Sequence, residues 1–391
     1  MNTQDDFEAL HFSGVEAQMR GDYTSAEGYF RKALAAKPDY AFAQLALSQV
    51  RMMQTEFAEG RDLYEARFAA ITEGSAADWR GLPMSRWQGE SLAGKKLYLW
   101  AEQGLGDIIM FAGFLLHLLA LKPARVALGM YPKLISLFAR SFPQVEVESI
   151  DEVSHHALGP TVLTAFPQIE QLAQYATVPF SLEPLREAYD YATKHGLCDV
   201  AAPMADLMVH FMPQFKPVEQ GPYLIADATR VQSIREELAQ LGKGKLVGIS
   251  WHTDNTREPN RNVPLAEWIP LLAMKDCHFV SLQHRVPAEQ IEQFCRTHDC
   301  KITVLPSVDL VQDAEGLVAL IAAMDEVVTI DNSNAHIAGA LGVKTTLLLP
   351  KGCNYRWPVL AGGGTLWYKS ARVLRQKVLA QWQDVMGQIS L

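Results

Sequence analysis

Glu102-Gln103-Gly104-Leu105-Gly106-Asp107-Ile108-Ile109 places two glycines and a carboxylate where a strand should hand over to a helix. Upstream, Lys96-Leu97-Tyr98-Leu99-Trp100 is a short apolar run of strand character. Downstream, Ile108 to Leu121 is apolar, lacks Pro, and is long enough for a buried helix. Gly104 and Gly106 therefore belong to a βα turn. Glycine there allows positive φ and close backbone approach, and the free N–H groups of the following helix favour an anion. Asp107 would repel that anion, so it is either an N-cap or dipole partner or a residue with chemical work. The stretch is not a dinucleotide fingerprint. The third glycine of G-x-G-x-x-G is replaced by Ile109, and no acidic residue follows a second strand at the expected distance. Gly242-Lys243-Gly244-Lys245 lacks the Walker spacing and is expected to be an exposed turn before a strand.

Outward from this turn the pattern alternates. Strands are expected at Leu97–Trp100, Arg125–Gly129 and Val145–Ile150, with helical stretches between them, which predicts a parallel sheet with covering helices over residues 76–222. From Tyr223 the alternation restarts. Strands are expected at Lys245–Trp251, His278–Leu282, Ile302–Leu305, Val327–Ile330 and Thr345–Leu349, and helices at Ala266–Met274, Glu289–Arg296, Glu315–Ala323 and Asn334–Leu341. Val373–Ile389 has helical periodicity. Two successive α/β halves imply a cleft, with ligands beyond the carboxyl ends of the strands.

Residues 1–75 are helical by pattern. With Phe7 as the first position of a unit of about 34 residues, Leu10, Gly14, Gly21-Asp22-Tyr23, Ala26, Phe30, Ala33 and Pro38 fall where a tetratricopeptide repeat needs them. A second, degenerate unit from Ala41 carries Leu47, Gly60, Tyr64 and Arg67 in register. Two repeats bury too little surface to stand free, so they should stack on the next domain or on another copy. Between Thr72 and Lys95 the composition turns polar and glycine-containing, a linker or wrapping segment anchored by Trp79 and Trp87.

At 391 residues, 49% apolar and 20% charged, the chain has the composition of a globular protein of two or three domains. A net charge of -9 argues against a nucleic-acid partner, which needs a basic face. Five cysteines without C-x-x-C spacing indicate neither a disulfide framework nor a zinc site, and fit reduced cytosol. The acidic N-terminus lacks the features of a signal peptide, and the longest apolar run falls short of the roughly 20 residues that span a bilayer. His155-His156 has no metal-ligand partner at useful spacing.

Three further turns carry polar groups. Ile330-Asp331-Asn332-Ser333-Asn334-Ala335-His336 leaves a buried strand and opens a helix of small residues. Its N–H groups and Ser333 can donate to a diphosphate, with His336 adding a third donor or a positive charge. The bland alternative makes Asn332 or Ser333 an N-cap and His336 a packed core residue. Trp251 to Pro264 is a polar loop whose Arg257 and Arg261 could fork onto a phosphate. Gln283, ending the next strand, offers an amide for a nucleobase or ribose. Tyr355-Arg356-Trp357-Pro358, after the last core strand, either flanks the pocket or supplies aromatic packing.

The order of repeats, Trp87-Gln88-Gly89-Glu90, Glu102 to Asp107, Ile249-Ser250-Trp251, Ser281-Leu282-Gln283 and Ile330 to His336 resembles bacterial tetratricopeptide-repeat glycosyltransferases, which are similar to glycosyltransferase family 9, the heptosyltransferases. The resemblance spans nearly the whole chain. It implies a GT-B architecture: an all-α repeat segment (1–75), an acceptor domain (76–222) and a nucleotide-sugar domain (223–391), the last helix crossing back. No metal or cofactor is required, the nucleotide sugar being substrate. By matched motif, Asp107 takes the general-base role. The donor-binding set is Gly104, Gly106, Trp251, Arg261, Gln283, Asp331, Asn332, Ser333 and His336, with Asn332 and Ser333 standing where the family has Thr and Gly. The subgroup includes protein glycosyltransferases, so the acceptor is a protein hydroxyl, flagellin among them, or a surface glycan. Repeats of this kind grip protein segments.

An inverting transfer needs one base for the acceptor proton and a site that stabilises the departing phosphate. An Asp of pKa about 3.9 is a weak base at neutral pH, so desolvation would have to raise it. The competing readings are a catalytically degenerate repeat scaffold and, less favoured by the missing glycine and acid, an NAD-dependent oxidoreductase.

Overall fold

The computed structural model describes residues 3–71, 84–150, 198–212, 221–254, 259–360 and 364–391. Trp79, His155-His156, Arg257 and the 75/76 boundary lie outside the described residues. The chain begins with five helices, α1 (Thr3–Met19), α2 (Tyr23–Ala36), α3 (Ala41–Met53), α4 (Phe57–Tyr64) and α5 (Ala66–Ile71). The first four form two hairpins. Gly21, at φ 74°, turns the chain between α1 and α2, and Asp22 caps α2 by accepting from Ser25 N at 3.0 Å. Gly14 lies against the Phe30 ring with no space for a side chain, so α1 and α2 approach closely. Ala26, Phe30, Ala33, Leu47 and Tyr64, all positions of the expected repeat register, are buried.

Two parallel sheets follow. The first contains β1 (Ser85–Arg86), β2 (Lys96–Trp100), β3 (Arg125–Met130), β4 (Glu146–Ser149) and β5 (Val200–Pro203), in the order β1-β5-β2-β3-β4. The second contains β6 (Lys245–Ser250), β7 (Cys277–Ser281), β8 (Glu326–Ile330), β9 (Lys344–Leu349) and β10 (Ala371–Arg375), in the order β10-β9-β8-β6-β7. Every strand pair among the described residues is parallel. Central strands such as β8 are buried at every position, as near-continuous apolar runs require. Described helices that accompany the first sheet are α6 (Leu105–Ala112), α7 (Leu115–Ala120), α8 (Ile135–Ser141) and α9 (Ala205–Phe211). With the second go α10 (Ala228–Leu238), α11 (Ile269–Leu272), α12 (Ala288–His298), α13 (Ala314–Ala323), α14 (Ser333–Leu341) and α15 (Gln383–Met386). In each sheet the order reverses at a central strand, β2 and β6, which opens a crevice at the carboxyl ends.

Three expectations change. The helix anticipated from Ile108 starts at Leu105 and breaks at Gly113, where Tyr223 packs too closely for a side chain to be added freely. Ile302–Leu305 contributes a single bridge, Val280 to Thr303, rather than a strand. Val373–Ile389 is not one helix. Ala371–Arg375 instead completes a five-residue parallel ladder with β9, and Trp382, Val385, Met386 and Ile389 pack with Trp268 and Leu271 of the second half. That end of the chain does not cross back. The halves meet directly. Tyr223 Oη donates to Ile109 O at 2.8 Å, Arg140 pairs with Glu315 at 2.6 Å, and one apolar core runs from α3 through both sheets. All five cysteines are unpaired. Among the described residues no helix is long and apolar enough to cross a membrane, and no cluster of three His, Cys, Asp or Glu could hold a metal.

Candidate functional site

The β2–α6 turn keeps its expected place but not its expected geometry. The left-handed residue is Gln103, at φ 67°, whereas Gly104 is extended at φ -80°. Gln103 is held there by its amide, which donates to Tyr64 Oη of α4 at 3.1 Å. Gly106 is needed for a different reason: a Cβ on it would come within 2.9 Å of His336 Cδ2 and 3.6 Å of Ser333 Cα. The close approach that glycine permits is therefore to the other half of the protein. The first turn of α6 and the first turn of α14 abut.

On the second half, Asn332 caps α14 by accepting from Asn334 N at 3.0 Å. Its side chain also accepts from Thr329 Oγ1 at 3.1 Å and donates to Ser250 Oγ at 3.1 Å, which ties β8 to β6 across the switch point. Ser333, the first residue of α14, is half-buried at the seam. Asp331 is buried and accepts from Trp357 Nε1 at 2.6 Å and from Arg261 Nη1 at 3.4 Å. Burial alone would push its carboxyl up, but the guanidinium of Arg261 and then that of Arg356 outweigh it and hold the carboxyl below its ordinary range. His336 stacks on Trp357 at 4.7 Å, and its Nδ1 lies 2.8 Å from Tyr368 Oη. Burial holds its imidazole down at about 4. The ring is neutral at physiological pH, so it offers no positive charge, contrary to one sequence expectation. Its Nε2 is buried with no hydrogen-bond partner among the described residues.

Arg356 joins the two edges. It follows β9 on an irregular stretch, and its Nε and Nη2 donate to Asp107 Oδ1 and Oδ2 at 2.6 and 3.0 Å. Both oxygens of Asp107 are thus forked by one guanidinium in a largely buried pair. Asp107 and the Asp331–His336 turn face one another across the seam, and the Arg356 guanidinium lies between them. The sequence drew attention to Tyr355–Pro358 without separating Arg356 from its aromatic neighbours. Position beyond a core strand end was the available signal.

The remaining expected residues serve the second half from within. Trp251 is buried in the core with Val263 and Trp268. Gln283 accepts from Trp251 N and His252 N at 3.0 and 2.9 Å and donates to His252 O and His284 O. Its amide is occupied by backbone rather than presented to a base. Arg261 is buried against Asp331.

A second buried charge cluster lies behind the β2 turn, assembled from residues that no local pattern links. Arg67 of α5 pairs with Asp206 of α9, both with fully buried side chains, and Arg86 reaches Asp206 at 2.7 Å and Glu65 at 2.6 Å. Glu102 sits beside them, accepting from Ala205 N at 3.0 Å. Burial pushes its carboxyl up to about 7, against the pull of Arg67 and with the push of Asp206.

No protein-family model matches the chain. Protein FlbA of Caulobacter vibrioides is 28% identical over 361 residues, which covers 90% of this chain and 55% of that protein. The chain therefore spans about half the length of this curated relative. Among solved structures, the glycosyl transferase family 9 structure from Veillonella parvula DSM 2008 matches with a TM-score of 0.50 at 14% identity, covering 73% of this chain and 87% of that one. E. coli ADP-heptose lps heptosyltransferase II matches with a TM-score of 0.46 at 15% identity, over 75% of this chain and 95% of its own. The fold of the two α/β halves is that of glycosyltransferase family 9, as the resemblance led us to expect.

Proposed function

We propose that the chain is a nucleotide-sugar-dependent, inverting glycosyltransferase that uses no metal and transfers the sugar to a protein hydroxyl, flagellin among the candidates, or to a surface glycan. The observation that carries this reading is the meeting of Asp107 with the Asp331–His336 turn at the carboxyl edges of two parallel sheets. Ligands of open parallel sheets bind at such edges. In this reading the N–H groups at the start of α14, with Ser333 and the neutral His336, hold the donor phosphates, and Arg261 sets the charge of Asp331 behind them. Gln283 and Trp251 shape the loop that meets the nucleoside. Asp107 takes the acceptor proton. The N-terminal helices, in tetratricopeptide register, present the acceptor polypeptide. The likeness of fold to glycosyltransferase family 9 supports the class of reaction.

The test is a panel of sugar nucleotides incubated with the protein and candidate acceptors, read by acceptor mass and by release of free nucleotide. The expected result is a mass increment of one sugar residue, lost in Asp107→Ala. A rival reading, a repeat scaffold with a degenerate transferase body, draws on the closed contact between Gly106 and His336. It is favoured if calorimetric titration with every sugar nucleotide and free nucleotide shows no binding.

A further inference from the structure

We propose that Arg356 exchanges partners during transfer: at rest it forks Asp107, and on donor binding it moves to the phosphate that will leave, so that the donor itself releases the base. The inference rests on the transferase reading above. Three observations carry it. Arg356 uses Nε and Nη2 on Asp107, and Nη1 has no acceptor among the described residues. Its backbone is fixed at both ends, the N–H donating to Asn354 Oδ1 at 3.0 Å and the carbonyl accepting from Trp367 Nε1, so only the side chain is left to swing. The next residue, Trp357, is pinned to the Asp331–His336 turn by its bond to Asp331 and its stack on His336. Arg356 is thus rooted on the donor side and reaches across to the acceptor side.

A carboxylate forked by a guanidinium has one lone pair on each oxygen already engaged, so Asp107 meets an acceptor hydroxyl in competition with Arg356. Planar guanidinium fits carboxylate and phosphate with the same two parallel N–H bonds, so a phosphate at the start of α14 is a direct competitor for it. The buried Nε2 of His336 lies beside that place. In the transfer, the acceptor O–H proton passes to Asp107 and the acceptor oxygen bonds to the anomeric carbon. The anomeric carbon–phosphate oxygen bond breaks with its electron pair left on the phosphate, where Arg356 meets the added charge.

The exchange makes a prediction that a simple base assignment, which leaves nucleotide affinity unchanged, does not. Calorimetry with ADP, GDP, UDP and CMP should show Asp107→Asn binding the preferred nucleotide about 10-fold more tightly than the unaltered protein, because the competing carboxylate is gone, while turnover is lost. Arg356→Gln should bind about 10-fold more weakly, and Arg356→Lys, which keeps charge without the fork, should recover part of the affinity and little of kcat. Since Arg356→Gln leaves Asp107 buried without its cation, the double variant Asp107→Asn/Arg356→Gln serves as the folding control and should bind like Arg356→Gln. Equal affinity of Asp107→Asn and the unaltered protein, or undiminished affinity of Arg356→Gln, overturns the exchange and leaves the transferase reading standing. No binding of any nucleotide to the unaltered protein overturns both.

Discussion

Gly106 has no room for a side chain, since a Cβ would press on the His336 ring from 2.9 Å. Gly106→Ala must shift α6 against α14, and overpacking of this kind costs about 1 to 3 kcal/mol. Urea denaturation should show that loss, and an unchanged midpoint would mean that the seam yields without resistance. Glu102 offers a pH test. Its carboxyl titrates at about 7 in the folded protein against an ordinary 4.5, so between those values the folded state holds a proton that the unfolded state has released. Stability from this group therefore falls as pH rises through that window. Glu102→Gln keeps the acceptor for Ala205 N and removes the charge. It should raise stability by about 1 to 3 kcal/mol at pH 8, with the gain vanishing near pH 4. A gain that does not vary with pH would rule out the titration. His336 has the opposite sign. Its imidazole is held at about 4, so its contribution falls as pH drops from 6.5 toward 4.

Among the elements, α5 and α9 are joined by a buried charge pair within the apolar core they share. Asp206 is shared by Arg67 and Arg86 in a buried site, so Asp206→Ala leaves the two guanidinium groups with Glu65 as their shared anion and should cost about 3 to 5 kcal/mol in denaturant unfolding. A loss under about 1 kcal/mol would show that water reaches the cluster. Regular elements of the two sheets were legible because buried parallel strands are near-continuous apolar runs, as in Val327–Ile330 and Leu97–Trp100. β10 was not, because Ala371-Arg372-Val373-Leu374-Arg375 is an edge strand buried only at Ala371 and Leu374, without a period of two, and is paired by the ladder that β9 offers. The turn at Glu102–Asp107 and the one at Asp331–His336 could be read from local glycine and polar patterning. Arg356 could not, since its partner lies 249 residues away and its own stretch has no period. Arg67, read as a repeat position, owes its role to Asp206, 139 residues distant.

Across the whole molecule, the N-terminal helices reach the strap that carries Arg356. Tyr23 Oη accepts from Cys353 N at 3.0 Å and lies 3.2 Å from Cys353 O, Gly352 lies against the carbonyl of Met19 with no space for a side chain, and Val359 N donates to Met53 O at 3.3 Å. The same helices hold the β2 turn through Tyr64 and Gln103. Both members of the Asp107–Arg356 pair therefore take their positions partly from a segment outside the two sheets. Tyr23→Phe removes both hydrogen bonds to Cys353 while keeping the ring, and leaving a buried N–H unsatisfied costs about 1 to 3 kcal/mol. If the strap's position sets the site, this change, three residues from Arg356 in sequence at its point of contact, should lower kcat by about 2- to 30-fold with the fold intact by circular dichroism. Gly352→Ala, which pushes the strap away from Met19, should act in the same direction. Unaltered kcat and KM in both variants, with a measured loss of stability, would reduce the helices to a platform that acceptors dock on and that the chemistry does not feel.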